Sequence, residues 1–284
     1  MPENRSIGQM AEFRIITPSA PLHSGPAADT SLDNEGLFGE TFKMTGNKNG
    51  FVSGILTTDG YEGWIPQNCL GDLPVPNARL IVPMSHVTID ASIKSPSCFS
   101  LSFMAAVSLI KTQGDRAKIA TAAGHGFLPS SHVQLIADLK KNLKADNEEA
   151  DIDWVVFAEH LISSPYKWGG RTAWGLDCSA LVQLSLAAAG LEVPRDSGPQ
   201  HEIGARLDIE SDILQSNLRR GDLVFWQGHV GIMQDQHRFL HANAYHMAVV
   251  SEPLEDAITR IGSIAGPVTA LRRPYFNPPL ITSS

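Results

Sequence analysis

An internal repeat constrains the architecture of these 284 residues more than any other feature. Residues 60–70, GYEGWIPQNCL, align with residues 123–133, AGHGFLPSSHV, each giving Gly, aromatic, apolar and Pro in series. Each copy closes a stretch of short β-prone runs broken by turn residues. The first holds FRIITP, LFGETFKMTG and FVSGILTTDGYEGWIP, and the second ARLIVP, SHVTIDAS and AAVSLIKTQGDRAKIATAAGHGFLP. Strands of about five residues with frequent Gly turns read as a small antiparallel barrel. A period of about sixty residues predicts two of them in tandem.

Between them DLPVPNA carries two prolines and reads as a stiff connection. Residues 137–151 carry the charge run DLKKNLKADNEEAD, expected as a solvated linker or surface helix. The pattern then changes. WVVFAEHLI spaces its apolar residues as an amphipathic helix, with Asp151 or Asp153 available as a cap. CSALVQLSLAAAG is a second helix, apolar nearly all round and ended by Gly190, hence expected at the centre of the domain. From Gly221 onward DLVFW, HVGIMQD, RFLHANA, MAVVSE and VTALRRP read as strands. Helices followed by antiparallel strands make an α+β domain. The expected organisation is 1–72 first barrel, 73–136 second barrel, 137–152 linker and 153–284 α+β domain.

Composition narrows the partners. The chain carries 22 basic and 30 acidic side chains, a formal charge of −8. It lacks the electrostatic footprint of a nucleic-acid binder and gains nothing from an anionic membrane. The start, MPENRSIGQMAEFRII, shows no export signal, and no run reaches the ~20 apolar residues of a membrane span. Three cysteines cannot pair completely, which suits a reducing compartment. The expectation is a cytoplasmic protein.

Cys178 sits where a Gly-rich loop, SPYKWGGRTAWGLD, enters the apolar helix. Unpaired N–H groups and the helix dipole there favour a thiolate and could hold an oxyanion. Cys69 and Cys98 have no such context and read as inert buried cysteines. A base is needed, and Gly228-His229-Val230-Gly231 places His229 at the start of an apolar strand with glycines leaving room beside it. If Gln234, Asp235 and Gln236 form the turn, His241 stands opposite His229. A turn shifted by one residue opposes Asn243 instead and leaves His241 diagonal. His229 would take the thiol proton and His241 would fix its tautomer. Zinc on Cys178, His229 and His241 is disfavoured, because no close ligand pair such as C-x-x-C is present. No metal or other cofactor is implied.

SPYKWGG, LDCSALVQ, PRDS, GDLVFW, GHVGI and FLHAN, in this order, resemble the NlpC-type cell-wall cysteine peptidases, whose domain is papain-like α+β. The resemblance spans roughly residues 153–277. The repeated segments resemble bacterial SH3-like barrels, the arrangement of the subgroup that recycles murein peptides as γ-D-glutamyl-L-diamino acid endopeptidases. The resemblance implies Cys178 as nucleophile, His229 as base, His241 as orienting residue and Tyr166 beside the oxyanion. It implies that Asp177 and Ser179 bind the free amino terminus of a small murein peptide. D-C-S-A replaces the usual D-C-S-G, a change a helix tolerates. In that subgroup the first barrel adds an acid and a tyrosine, for which Glu62 and Tyr61 are the candidates. Glu62 with Asp177 would form a carboxylate pair that binds an ammonium and rejects an acylated one. Arg195 either binds the substrate carboxylate or, the preferred reading, forms a structural salt bridge. The rival functions are a peptide- or glycan-binding protein with an inactive domain, and an amidase or acyltransferase using the same cysteine.

Overall fold

The computed structural model describes residues 11–141, 153–210 and 213–276. Cap candidate Asp151 and residues 142–152 of the expected linker lie outside the described residues, and residues 136–141 form a short helix. The first seven strands, between Glu12 and Gly71, form one antiparallel sheet closed over Ile15, Leu22, Phe42, Leu56 and Ile65. The next eight, from Ala78 to Leu135, form two sheets over Leu80, Val87, Leu101, Ile119 and Leu128.

The sequence match at the barrel ends is a structural equivalence. Strand Tyr61–Pro66 runs into a 3₁₀ turn at Gln67–Cys69, and strand Gly124–Pro129 into one at Ser130–His132. Each Pro precedes its turn with nearly the same backbone angles, φ −56°, ψ 130° and φ −59°, ψ 132°. Proline presets φ, so both copies leave the barrel in the same direction.

The barrels do not hang on a free linker. Gly39 in the first has φ +77°, and a Cβ there would lie 1.8 Å from the Ala106 carbonyl oxygen of the second. Only glycine permits that approach. Leu37 of the first barrel and Phe103 and Met104 of the second pack into the main core of the α+β domain.

In that domain the Cys178–Ala188 helix is buried except at Ala187. Asp177 starts it with an extended backbone, its Oδ1 accepting the Ala180 N–H at 2.9 Å. Gly190, at φ +98°, follows its end. The first helix is shorter than the sequence pattern, Val155–Glu159. Asp153 does not cap it; its carboxylate instead binds Arg220 at 2.7 Å. Six strands form an antiparallel sheet in the order Ala205–Leu207, Ala270–Arg273, Leu223–Trp226, His229–Met233, Arg238–Asn243, Ala248–Pro253. Val230, Ile232, Leu240 and Ala242 face the central helix. Trp226, Met233 and Phe239 pack with Leu254 and Ala257 of the Leu254–Ala265 helix.

Candidate active site

Cys178 is buried at the first position of its helix. The backbone N–H groups of Val230 and Ser179 lie near enough to its sulfur to favour the thiolate, which sets the sulfur by the start of the His229 strand. Burial pushes the thiol up to about 12, helped by the Asp177 carboxylate, and these N–H groups and Arg195 only partly oppose the rise. Burial and the charge of His241 push His229 down to about 3. Both shifts favour a thiol and a neutral imidazole at rest. Desolvation works against the thiolate expected from the helix dipole.

The hairpin register differs from the favoured expectation. Ile232 pairs with Leu240 and Met233 with Phe239, and Gln234 N–H donates to Arg238 O at 2.8 Å. The turn is thus Asp235, Gln236 and His237. The Asp235 carboxylate holds it, accepting the His237 and Arg238 N–H groups at 2.7 Å each. Continuing this register puts Asn243 opposite His229 and leaves His241 diagonal, opposite Gly231. Moving a three-residue turn by one position shifts the pairing by two, so the face is kept. His229 Nε2 still meets His241 Nδ1 at 2.7 Å. That leaves His229 Nδ1 as the nitrogen free for the thiol.

Glu252, which the sequence reading did not single out, stands behind His241. Its Oε1 lies 2.6 Å from His241 Nε2, and Arg260 grips both carboxylate oxygens at 2.7 and 2.6 Å. Burial would raise Glu252, but hydrogen bonds from His241 and Arg260 outweigh it and bring it down to about 2. One more hairpin would have revealed this residue, since Asn243 pairs with Ala248 and the alternation of AVVSE carries Glu252 to the face of His241.

The substrate-side candidates fall in separate surroundings. Asp177 accepts from Ala180 N, Ser179 Oγ and Arg195 Nη1 on one oxygen, and from Gly169 N and Arg195 Nη2 on the other. Arg195 is thus its buried cationic partner, and an ammonium would have to share that carboxylate. Ser179 is buried in the same network, its Oγ accepting from Arg195 at 2.9 Å. Arg195 is indeed structural, with Asp177 as its partner. Glu62 is exposed and lines a shallow groove with Ser24, Asp33, Thr45 and Trp64, all first-barrel residues. Glu62 and Asp177 form no carboxylate pair.

Other acids stand near Tyr61. Burial raises the Tyr61 hydroxyl, and the charges of Asp196, Asp33 and Asp59 raise it further. Asp196 is itself raised, by burial first and then by Asp177, Asp59 and Asp33, against the pull of Arg195. Among the described residues it forms no salt bridge. Tyr166 stands close enough to Cys178 and Asp177 for their charges to add to burial in raising it to about 12. The first barrel reaches this region through Asn34, which accepts from Arg195 Nε at 2.7 Å, and Glu35, which binds Lys167. Gly169, at φ +71°, lies where a Cβ would meet Leu32 O of the barrel at 2.8 Å, which explains a glycine in the K-W-G-G loop.

His241, His246 and Glu252 offer one ligand atom each within 4.8 Å, the one potential metal-ligating group of three among the described residues. It excludes Cys178 and His229, and Arg260 already occupies the Glu252 carboxylate. Cys69 is buried as expected, whereas Cys98 is exposed on an outer strand of the second barrel.

Residues 163–261 match the model of the NlpC/P60 family, and residues 22–70 that of the bacterial dipeptidyl-peptidase Sh3 domain. The α+β domain belongs to the NlpC/P60 family. The chain is 25% identical to the gamma-D-glutamyl-L-lysine dipeptidyl-peptidase of Bacillus subtilis strain 168, over 77% of this chain and 74% of that protein. It is 37% identical to the murein DD-endopeptidase MepS/murein LD-carboxypeptidase of Escherichia coli K12, over 30% of this chain and 46% of that one. A crystal structure of an NlpC/P60 family protein from Bacillus cereus ATCC 10987 superposes with a TM-score of 0.76 at 19% identity. It covers 93% of this chain and 99% of that one, so the barrels and the NlpC/P60 domain share one arrangement of folds.

Proposed function

We propose that this NlpC/P60 protein is a cysteine endopeptidase that cuts the γ-D-glutamyl–diamino acid bond of short murein peptides bearing a free amino-terminal L-Ala. The observation that carries the chemistry is the 2.7 Å contact between His229 Nε2 and His241 Nδ1, with Cys178 near the backbone of Val230, the residue after His229. His229 Nδ1 takes the proton of Cys178 as the sulfur attacks the γ-carbonyl. No hydrogen bond joins thiol and imidazole at rest among the described residues, and such contacts commonly tighten when substrate binds. The helix N-terminus and the Tyr166 hydroxyl stabilise the oxyanion. The protonated His229 then gives its proton to the leaving amine. A water activated by the same imidazole hydrolyses the thioester and releases L-Ala-γ-D-Glu.

Free-amine recognition falls to Asp196 and Asp33, with Tyr61 beside them. Among the described residues Asp196 forms no salt bridge, and Asp177, Asp59 and Asp33 add like charge against the pull of Arg195, so a substrate ammonium would relieve an electrostatic cost. An acylated amine brings bulk without charge and gains nothing there. The intact Cys178, His229 and His241 set argues against an inactive binding protein. We place the activity in the recycling of soluble murein peptides in the cytoplasm, a reading supported by three unpaired cysteines and a formal charge of −8.

The test is mass spectrometry of L-Ala-γ-D-Glu-diaminopimelate and its N-acetylated copy incubated with wild type and Cys178→Ala. Cleavage of the free tripeptide alone, by wild type alone, is expected. No cleavage by wild type would sink the catalytic reading. Equal cutting of the acetylated copy would remove the amine site while leaving the nucleophile.

A further inference from the structure

We infer that Glu252 is a positioning residue that sets the tautomers of both histidines, so that the relay runs Glu252, His241, His229, Cys178. The inference rests on the role proposed above for His229. Three strands carry it, with each imidazole or carboxylate diagonal to the next across the sheet.

His241 Nε2 has two competing neighbours, Glu252 Oε1 at 2.6 Å and Asn243 Nδ2 at 2.9 Å. The Asn243 amide cannot turn to resolve the competition, because its Oδ1 accepts the His246 backbone N–H at 2.8 Å. Asn243 therefore presents a donor and asks for a bare Nε2, whereas an ionised Glu252 asks for a proton on it. An unprotonated nitrogen facing a carboxylate at 2.6 Å sets two lone pairs and a full charge against each other; a crowded amide N–H at the longer distance costs less. Glu252 wins, and Arg260 keeps it ionised by holding both oxygens.

The consequence propagates. With the proton on His241 Nε2, Nδ1 must accept, so His229 carries its proton on Nε2 and keeps Nδ1 bare to take the thiol proton. Reversing His241 would place a proton on His229 Nδ1 and remove the base. The other titratable groups facing the two rings are His246 and Arg260, and among the described residues neither hydrogen-bonds to His241. When His229 becomes an imidazolium, the Glu252 charge compensates it through His241.

The experiment is ¹⁵N NMR of histidine-labelled full-length protein near neutral pH, on wild type, Glu252→Gln and Glu252→Ala, with peptide hydrolysis measured on the same samples. Wild type should show both His229 and His241 protonated on Nε2 and bare on Nδ1. In the variants Asn243 should take over Nε2, His241 should move to the Nδ1–H form, and kcat should fall on the order of 10²-fold with little change in KM. A wild-type His241 protonated on Nδ1 would overturn the inference. So would variants that keep both the wild-type tautomers and the wild-type kcat. The spectra decide this whatever peptide is cut, so a wild type inactive on murein tripeptides would count against the proposed function alone.

Discussion

Gly231 stands across the hairpin from His241, and the space of its missing side chain is taken by the Phe239 ring and the His241 Cβ. A Cβ built on Gly231 would come 2.8 Å from His241 Cβ and 2.3 Å from Cζ of Phe239. Gly231→Ala should therefore push His241 off its diagonal contact with His229. The expected result is a large loss of kcat with a stability loss of about 1–3 kcal/mol. Activity assays beside thermal melts check it; an active, stable alanine variant would mean that the ring has other room.

The pH dependence of kcat/KM should lack the usual histidine limb. The base works only when neutral, and activity is lost as pH falls through the His229 pKa, which burial and His241 have pushed down to about 3. Cys178, pushed up to about 12, stays a thiol across the neutral range. The profile should be flat from about pH 5 to 8. An acid limb near the unperturbed value of about 6.5 would show that burial does not govern His229.

Alkylation should single out Cys98 first, because it is exposed while Cys69 and Cys178 are buried. In a Cys98→Ser background the remaining labelling at neutral pH should be slow, and slower still at Cys178 in His229→Ala. Fast labelling of Cys178 without substrate would restore the resting thiolate.

Amine selectivity should follow Asp196 and Tyr61 and ignore Glu62. Asp196→Asn should raise KM for the free tripeptide by roughly 10-fold or more and narrow its lead over the acetylated copy. Glu62→Gln should change neither, its side chain being exposed on the first barrel. A KM effect at Glu62 with none at Asp196 would reverse the assignment.

Glu40 joins the first barrel to the catalytic domain by a bidentate pair with buried Arg171, at 2.9 and 3.1 Å. Arg171 also donates to Glu35 O and Gln183 Oε1. Burial would raise Glu40, but Arg171 and the Leu37 N–H leave it lowered. Glu40→Ala strands a buried guanidinium and should cost about 3–5 kcal/mol. A depressed carboxylate stabilises fully above its unfolded pKa and loses that contribution as pH falls through the folded value. The gap in melting temperature between wild type and variant should therefore be widest near neutral pH and shrink in acid. A gap independent of pH would mean the loss is one of packing.

Local information was enough for a good deal. The repeat ending in Gly, aromatic, apolar, Pro carried the two barrels because proline and glycine act on their own backbone. The loop-to-helix context of Cys178 and the glycines around His229 pointed to the reactive groups, since helix entry and strand alternation are set by residues within a turn or two. His241 and His229 could be put on one face from alternation alone.

The pairing of charges was decided by the fold. Asp177 beside Cys178 and Glu62 beside Tyr61 read as a substrate pocket, but Arg195, 18 residues on, takes both Asp177 oxygens. Whether a carboxylate is spent or free depends on which cation the tertiary structure delivers to it, and no local pattern encodes that. The same holds for Glu252, placed behind His241 by a second hairpin, and for the thiol, whose ionisation is set by burial beneath several elements at once. Short-range sterics wrote the elements, the faces and the nucleophile into the chain; desolvation and long-range pairing, which exist only once distant segments meet, assigned the protons and the free charges.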